Sequence, residues 1–173
     1  FPKHIDAKIT SGPLDLVWCP DSGLLQLRHS YDLDEMYGMN YGYRSGLNQS
    51  MVKHLKQKVH FLQRLRPVSA GDIVLDIGSN DATLLSAYEV RGLQRIGIDP
   101  TGEKFQKFYT NGIELVPEFF SADAFRAKFN SGGAKIITSI SMFYDLESPL
   151  DFVTDIYKVL DEDGIWHFEQ SYM

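Results

Sequence analysis

The sequence predicts an α/β domain built on a parallel sheet, and three observations carry that expectation. The first is the stretch Ile73–Leu85. An apolar run (Ile73, Val74, Leu75) ends in Asp76-Ile77-Gly78, passes a tight Ser79-Asn80-Asp81 loop and enters a helix-like segment at Thr83. A strand, a glycine turn and a helix start in that order let a ligand approach backbone N–H groups that no side chain obstructs. The second is a short strand, Arg95-Ile96-Gly97-Ile98, ending in Asp99, 21 residues after Gly78. A carboxylate at the tip of the neighbouring strand, at about that spacing, is placed to take both hydroxyls of a ribose. The third is the alternation of strand-like and helix-like segments from Gly71 onward. Repeated βαβ units imply a parallel sheet with right-handed crossovers.

Each element has its own signal. Phe1 to about Asn40 reads as irregular, with β-like runs at Leu14–Trp18 and Leu24–Leu27. Tyr31, Tyr37, Tyr41 and Tyr43, interleaved with Gly38, Gly42 and Gly46, read as a loop laid over a surface. Leu47, Met51, Leu55, Val59, Leu62 and Leu65 then recur at three- and four-residue steps, which predicts an amphipathic helix closed by Pro67. Strands are expected at Asp72–Ile77, Arg95–Asp99, Glu114–Pro117, Lys135–Ile140 and Ile165–Gln170. Helices are expected near Thr83–Arg91, Gly102–Asn111, Ala122–Phe129 and Pro149–Leu160. In the order 3-2-1-4-5, ligands bind outside the carboxyl ends of the strands, where Gly78, Asp99, Phe119, Phe120, Ser141 and Gln170 fall.

The loop chemistry narrows the ligand. A dinucleotide turn wants G-x-G-x-x-G, so that backbone meets pyrophosphate and helix packs on strand. Here the later glycine positions hold Asn80 and Thr83, and the turn carries Asp76 and Asp81. Such a loop serves an anion poorly and suits a cationic, phosphate-free nucleoside; S-adenosyl-L-methionine is one.

Composition bounds the rest. The 173 residues suffice for one α/β domain and a small appendage, with 43% hydrophobic and 23% charged residues. A net charge of -6, with no evident Lys/Arg cluster, argues against a nucleic-acid partner. No apolar run approaches the roughly 20 residues that span a bilayer. The single cysteine, Cys19, excludes an internal disulfide and fits a reducing cytoplasm.

At these residues the sequence resembles the class I S-adenosylmethionine-dependent methyltransferases, with their Rossmann-like sheet. More narrowly, it is similar to the sugar C-methyltransferases that act on nucleotide-linked 4-keto-deoxysugars. The narrower match rests on DEMYGMNYGYRSGLNQSM (Asp34–Met51), VLDIGSNDATLL, IGIDPTGEKF (Ile96–Phe105), SMFYDLESP (Ser141–Pro149) and WHFEQSYM (Trp166–Met173). The resemblance implies that Gly78, Ser79 and Asn80 line the methionine part of the cofactor, and that Asp99 and Pro100 meet its ribose. It puts Phe120 and Ser121 at the adenine, Ser141 and Met142 beside the sulfonium, and Tyr43 and Arg44 in a lid. Residues 1–44 then correspond to a remnant of a zinc module and a tyrosine-rich lid, and residues 45–173 to the cofactor-binding domain.

Two departures from the family stand out. Cys19-Pro20-Asp21-Ser22 has Ser22 where a C-x-x-C pair needs its second cysteine, so no zinc site is expected; four good ligands are required. The family's Glu-His acid/base pair lies beyond the strand ending in EQSYM, and the chain stops at Met173. The expectation is therefore a fragment, truncated after the fifth strand, whose exposed edge (Ile165, Trp166, Phe168) invites self-association.

The implied chemistry is C-methylation. A carbonyl acidifies the neighbouring C–H, a base removes that proton, and the enolate attacks the methyl group. Tyr43, Tyr144 and Glu169 are the candidate catalytic residues within the chain, with Asp145 able to orient substrate. Two alternatives stay open: an NAD-dependent epimerase or dehydrogenase, and a non-catalytic cofactor-binding module.

Overall fold

Side-chain alternation along the first strand of the sheet decides the architecture. In the computed structural model, residues 4–6, 8, 10–32, 36, 37, 41–129 and 132–170 are described. Gly38 in the tyrosine-rich segment and Ser171–Met173 in EQSYM lie outside them. The chain forms two compact units, Phe1–Leu33 and Asp34–Met173.

In the first unit, β1 (Leu16–Trp18) and β2 (Leu25–Leu27) pair antiparallel. Cys19–Ser22 belongs to the connecting turn, where Gly23 N–H donates to the Cys19 carbonyl at 2.8 Å and Cys19 N–H to the Leu24 carbonyl at 2.9 Å.

The second unit holds the sheet. Strands β3 (Ile73–Ile77), β4 (Gln94–Ile98), β5 (Ile113–Val116), β6 (Ala134–Ile140) and β7 (Leu160–Glu169) lie in the order β5-β4-β3-β6-β7, every neighbour parallel. This is the expected 3-2-1-4-5 order. All residues of β3 are buried, as a central strand covered on both faces requires. Ile73, Leu75 and Ile77 enter a core with Ile96, Ile98, Val116, Ile137 and the helices α2 (Ala122–Lys128) and α3 (Pro149–Val159), through Phe125, Phe152 and Ile156. Val74 enters the opposite core with Leu85, Tyr88, Ile136 and the helix α1 (Gln49–Leu65), through Leu55, Val59 and Leu62.

Local chemistry sets the helix ends. The Asn48 side chain caps α1 by accepting from Ser50 N–H at 3.0 Å and Met51 N–H at 3.5 Å. Arg66 is extended ahead of Pro67, which ends α1 where the sequence predicts. The exposed face of α1 also aligns Lys53, Lys56 and Arg64, a basic strip that the chain-wide charge conceals. Ser121 caps α2 through its hydroxyl, which accepts from Ala124 N–H at 3.0 Å.

Two expected α-helices differ. The Thr83–Arg91 segment contains only a 3-10 turn at Leu85–Ala87. Ala82 takes φ 58, and Tyr88 turns extended to bury its ring, so tertiary packing outweighs helix propensity here. The segment after β4 is a 3-10 helix at Pro100–Phe108, started by Asp99 as its cap. Pro100 fixes its first φ.

Candidate functional site

The carboxyl ends of β3, β4 and β6 meet where the strand order reverses, which is where open α/β sheets form a ligand crevice. Gly78 is exposed there between buried Ile77 and Ser79. Its φ is +74°, and a Cβ would stand 3.5 Å from Met142 Cγ, so the turn after β3 faces the turn after β6. Three non-glycine residues at these strand ends share the left-handed region: Asn80 (φ 51), Ala82 (φ 58) and Ser141 (φ 54). Backbone in that region costs energy and concentrates at functional sites.

Asp99, 6% exposed, holds the crevice together. Its Oδ1 accepts from Thr101 N–H at 2.6 Å and Thr101 Oγ1 at 2.7 Å, and its Oδ2 accepts from Asn80 N–H at 2.7 Å. A carboxylate has about four acceptor sites, so one on Oδ2 remains for a ligand hydroxyl. Ser79 Oγ lies 2.8 Å from Tyr109 Oη, which donates to the Asn80 carbonyl at 2.9 Å. Gly97 makes room for this pair, since a Cβ would sit 2.9 Å from Tyr109 Cε1 and collide with the Ser79 side chain. Tyr109 is a site residue that sequence reasoning misses; nothing in its local pattern marks it.

Residues 43–46 clasp the same turn. Asn80 Nδ2 donates to the Tyr43 carbonyl at 3.0 Å, and Ser45 N–H donates to Asn80 Oδ1 at 3.0 Å. Asp81 accepts from Arg44 Nε at 2.9 Å, from Gly46 N–H at 3.0 Å and from Thr83 Oγ1 at 2.5 Å. The Arg44 guanidinium also lies 4.2 Å from the Phe108 ring centroid. Arg44 is thus neutralised by Asp81, while Tyr43 meets the turn through its backbone and leaves its side chain partly exposed.

Asp76 is buried among the apolar residues of β3, and Thr138 Oγ1 donates to it at 2.6 Å. Burial, opposed by that hydrogen bond and helped by the charge of Asp99, pushes its carboxyl up to about 7. The folded chain therefore holds a proton that the unfolded chain, with a carboxyl near 3.8, releases. The resulting stability is fully present below pH 3.8 and is lost as pH rises through about 7. Asp76→Asn is expected to flatten that slope, removing about 2 kcal/mol of the loss between pH 5 and 7. Urea denaturation of both proteins across that range checks it.

The segment after β6 carries a second cluster. Tyr37 Oη donates to Asp145 Oδ2, and the Tyr37 and Tyr41 rings stand 5.3 Å apart. Burial raises the Asp145 carboxyl against the opposing hydrogen bond from Tyr37. Tyr144, 51% exposed, offers its phenol to solvent. At the end of β7, Glu169 accepts from Lys58 Nζ at 2.6 Å and pairs with His54 Nε2 at 2.7 Å, while its carbonyl accepts Ser141 N–H at 3.0 Å. Lys58 and His54, on α1, are further residues that the sequence reading does not single out.

The expected adenine residues are occupied by structure. Phe120 packs edge-on against Phe152 at 5.2 Å, and Ser121 spends its hydroxyl on the α2 cap. Phe119 is the exposed ring at this strand end. Among the described residues, no three His, Cys, Asp or Glu side chains converge as metal ligands. None of the described helices is long and apolar enough to cross a membrane.

Residues 75–168, more than half of the chain, match the family model described as Methyltransferase domain. The chain belongs to the methyltransferase domain family. Membership sets aside the dinucleotide-dependent alternative. This methyltransferase domain is 25% identical over 162 residues to C-methyltransferase NovU of Streptomyces niveus, covering 93% of the chain and 38% of NovU. The chain thus spans about two-fifths of the length of that relative. Among solved structures, the plantazolicin methyltransferase BpumL, in complex with a triazolic desmethylPZN analog and SAH, superposes with TM-score 0.54 at 14% identity. That match covers 72% of this chain and 48% of BpumL. The CurJ carbon methyltransferase gives TM-score 0.52 at 16% identity, covering 72% of this chain and 37% of CurJ. These likenesses show the fold, a Rossmann-like class I methyltransferase sheet.

Proposed function

We propose that this domain binds S-adenosyl-L-methionine and methylates a carbon next to a ketone, on a nucleotide-linked 4-keto-deoxysugar. The observation that carries the cofactor is the exposed Gly78, facing Met142 beside the open acceptor of buried Asp99. The donor set fits. Asp81 is paired with Arg44 and Asp76 is pushed towards its neutral form, so buried Asp99 is the carboxylate that sets the charge of the turn and disfavours a phosphate.

When bound, S-adenosylmethionine supplies an electrophilic methyl group on a sulfonium and leaves as a neutral thioether. Gly78, Ser79 and Asn80 would receive its methionine part, and Asp99 and Pro100 its ribose. Phe119, whose ring is exposed, would meet the adenine end, with Phe120 and Ser121 shaping that strand end through packing and capping. Ser141 and Met142 would stand beside the sulfonium, and the clasp of Tyr43 and Arg44 would exclude water from the crevice. Tyr144, after β6, and Glu169, at the end of β7, would meet the substrate, with Asp145 held by Tyr37.

The carbon specificity and the sugar rest on the motif resemblance and on NovU, which is named a C-methyltransferase. The test is transfer of a labelled methyl group from S-adenosylmethionine to a nucleotide-linked 4-keto-6-deoxyhexose. A new C–CH3 bond, identified by NMR, is expected. Label on oxygen or nitrogen would refute the carbon assignment. Cofactor binding without transfer to any acceptor would favour the non-catalytic module.

A further inference from the structure

Tyr41 is tied to three strand ends at once. Its backbone carbonyl accepts from Lys104 Nζ at 3.1 Å, in the 3-10 segment after β4 that Asp99 caps. Its ring lies 5.3 Å from that of Tyr37, whose hydroxyl donates to Asp145 Oδ2. Asp145 closes the short turn after β6, its N–H donating to the carbonyl of Met142 at 3.1 Å. Two residues beyond Tyr41, the Tyr43 carbonyl accepts from Asn80 Nδ2 at 3.0 Å, in the turn after β3. These are the three strands whose carboxyl ends form the crevice, so a residue held between their turns stands across its mouth.

The charges around this ring say what it can meet. Tyr41 is half-buried; burial first, and then the charge of Asp99, raise its phenol, followed by Tyr144, Tyr43 and Asp145. The phenol therefore stays neutral and lies in the field of the carboxylate at the end of β4. A field that opposes a phenolate attracts a cation. The face of a neutral phenol adds to that attraction, because the ring quadrupole is negative above and below its plane. Nearby cations are already engaged, Lys104 at the Tyr41 backbone and Arg44 on Asp81. Tyr43, the tyrosine that the motif resemblance singles out, is held differently: it meets the turn through its carbonyl and is 45% exposed.

We propose that the ring of Tyr41 is the wall that receives the sulfonium of S-adenosylmethionine, with Tyr37, latched to Asp145, as the positioning residue that holds this ring. The inference rests on the cofactor reading above and adds a means of telling the cofactor from its product. S-adenosylmethionine is a cation at sulfur, whereas S-adenosylhomocysteine is a neutral thioether. Contacts to ribose, adenine and the amino-acid end are common to both ligands, so they raise affinity without distinguishing the two. A ring facing sulfur favours the charged form, and the attraction ends once the methyl group has left. Tyr41 thus biases the crevice towards holding cofactor and releasing product.

The test is the ratio of two affinities, for S-adenosylmethionine and for S-adenosylhomocysteine, each measured by calorimetry with circular dichroism as the check on folding. Tyr41→Leu and Tyr41→Met keep apolar bulk and remove the ring; in both the ratio is expected to fall about tenfold against S-adenosylmethionine. Tyr41→Phe keeps the ring and is expected to stay within about twofold of the wild-type ratio. Tyr37→Phe loses the hydroxyl that holds Asp145 and is expected to lower the ratio about threefold. Loss of packing alone would weaken both ligands alike and leave the ratio where it was. Tyr157→Leu, at an 82% exposed position of α3, should match the wild type. Equal weakening of both ligands in the Tyr41 variants without a ring, or no weakening of either, overturns the proposal and leaves the cofactor reading standing. An unchanged ratio in Tyr37→Phe overturns the positioning role of Tyr37. A wild type that binds neither ligand overturns the cofactor reading first, and this inference with it.

Discussion

Gly78→Val is expected to abolish measurable S-adenosylhomocysteine binding, a loss above 100-fold, in a chain that still folds. Two effects combine. A β-branched residue at φ +74° costs on the order of 1–3 kcal/mol of backbone strain. Its Cβ would stand 3.5 Å from Met142 Cγ, and its methyl groups would occupy the space between the two turns. Because Gly78 is exposed, the new side chain meets the ligand rather than the core. Calorimetry and circular dichroism together check this. Retained affinity would make the turn merely structural.

Asp99→Ala is expected to weaken S-adenosylhomocysteine binding tenfold or more, and also to lower stability by about 2–4 kcal/mol. The second effect follows from the three hydrogen bonds that Asp99 accepts from Asn80 and Thr101, which leave three donors orphaned when the acid is lost. Asp99 thus shapes the turn, in addition to the ribose-binding role proposed for it. Denaturation read alongside calorimetry separates the two. Unchanged affinity in a destabilised but folded protein would confine Asp99 to the structural role.

The sheet was legible in the sequence because β3 alternates between two cores, and because Gly78 and Asp99 stand at the ends of neighbouring strands. The helix at Thr83–Arg91 was not. Its apolar residues suit a helix, but Ala82 spends its backbone on the left-handed turn and Tyr88 is pulled out of helical geometry by burial. The candidate site divides similarly. Residues carried by motifs, from Gly78 to Asn80 and from Ser141 to Met142, fall together at the crevice. Tyr109 meets Asn80, and His54 and Lys58 meet Glu169, only through tertiary contacts across 29 to 115 positions, for which local spacing offers no signal. Phe120 and Ser121 lie at the expected strand end, yet packing and capping claim their side chains.

The most direct test of the account is calorimetric titration of the purified chain with S-adenosylhomocysteine and, separately, with NAD. The acid-lined turn predicts saturable binding of S-adenosylhomocysteine, lost in Gly78→Val, and no binding of the dinucleotide. Binding of NAD with none of S-adenosylhomocysteine would contradict it.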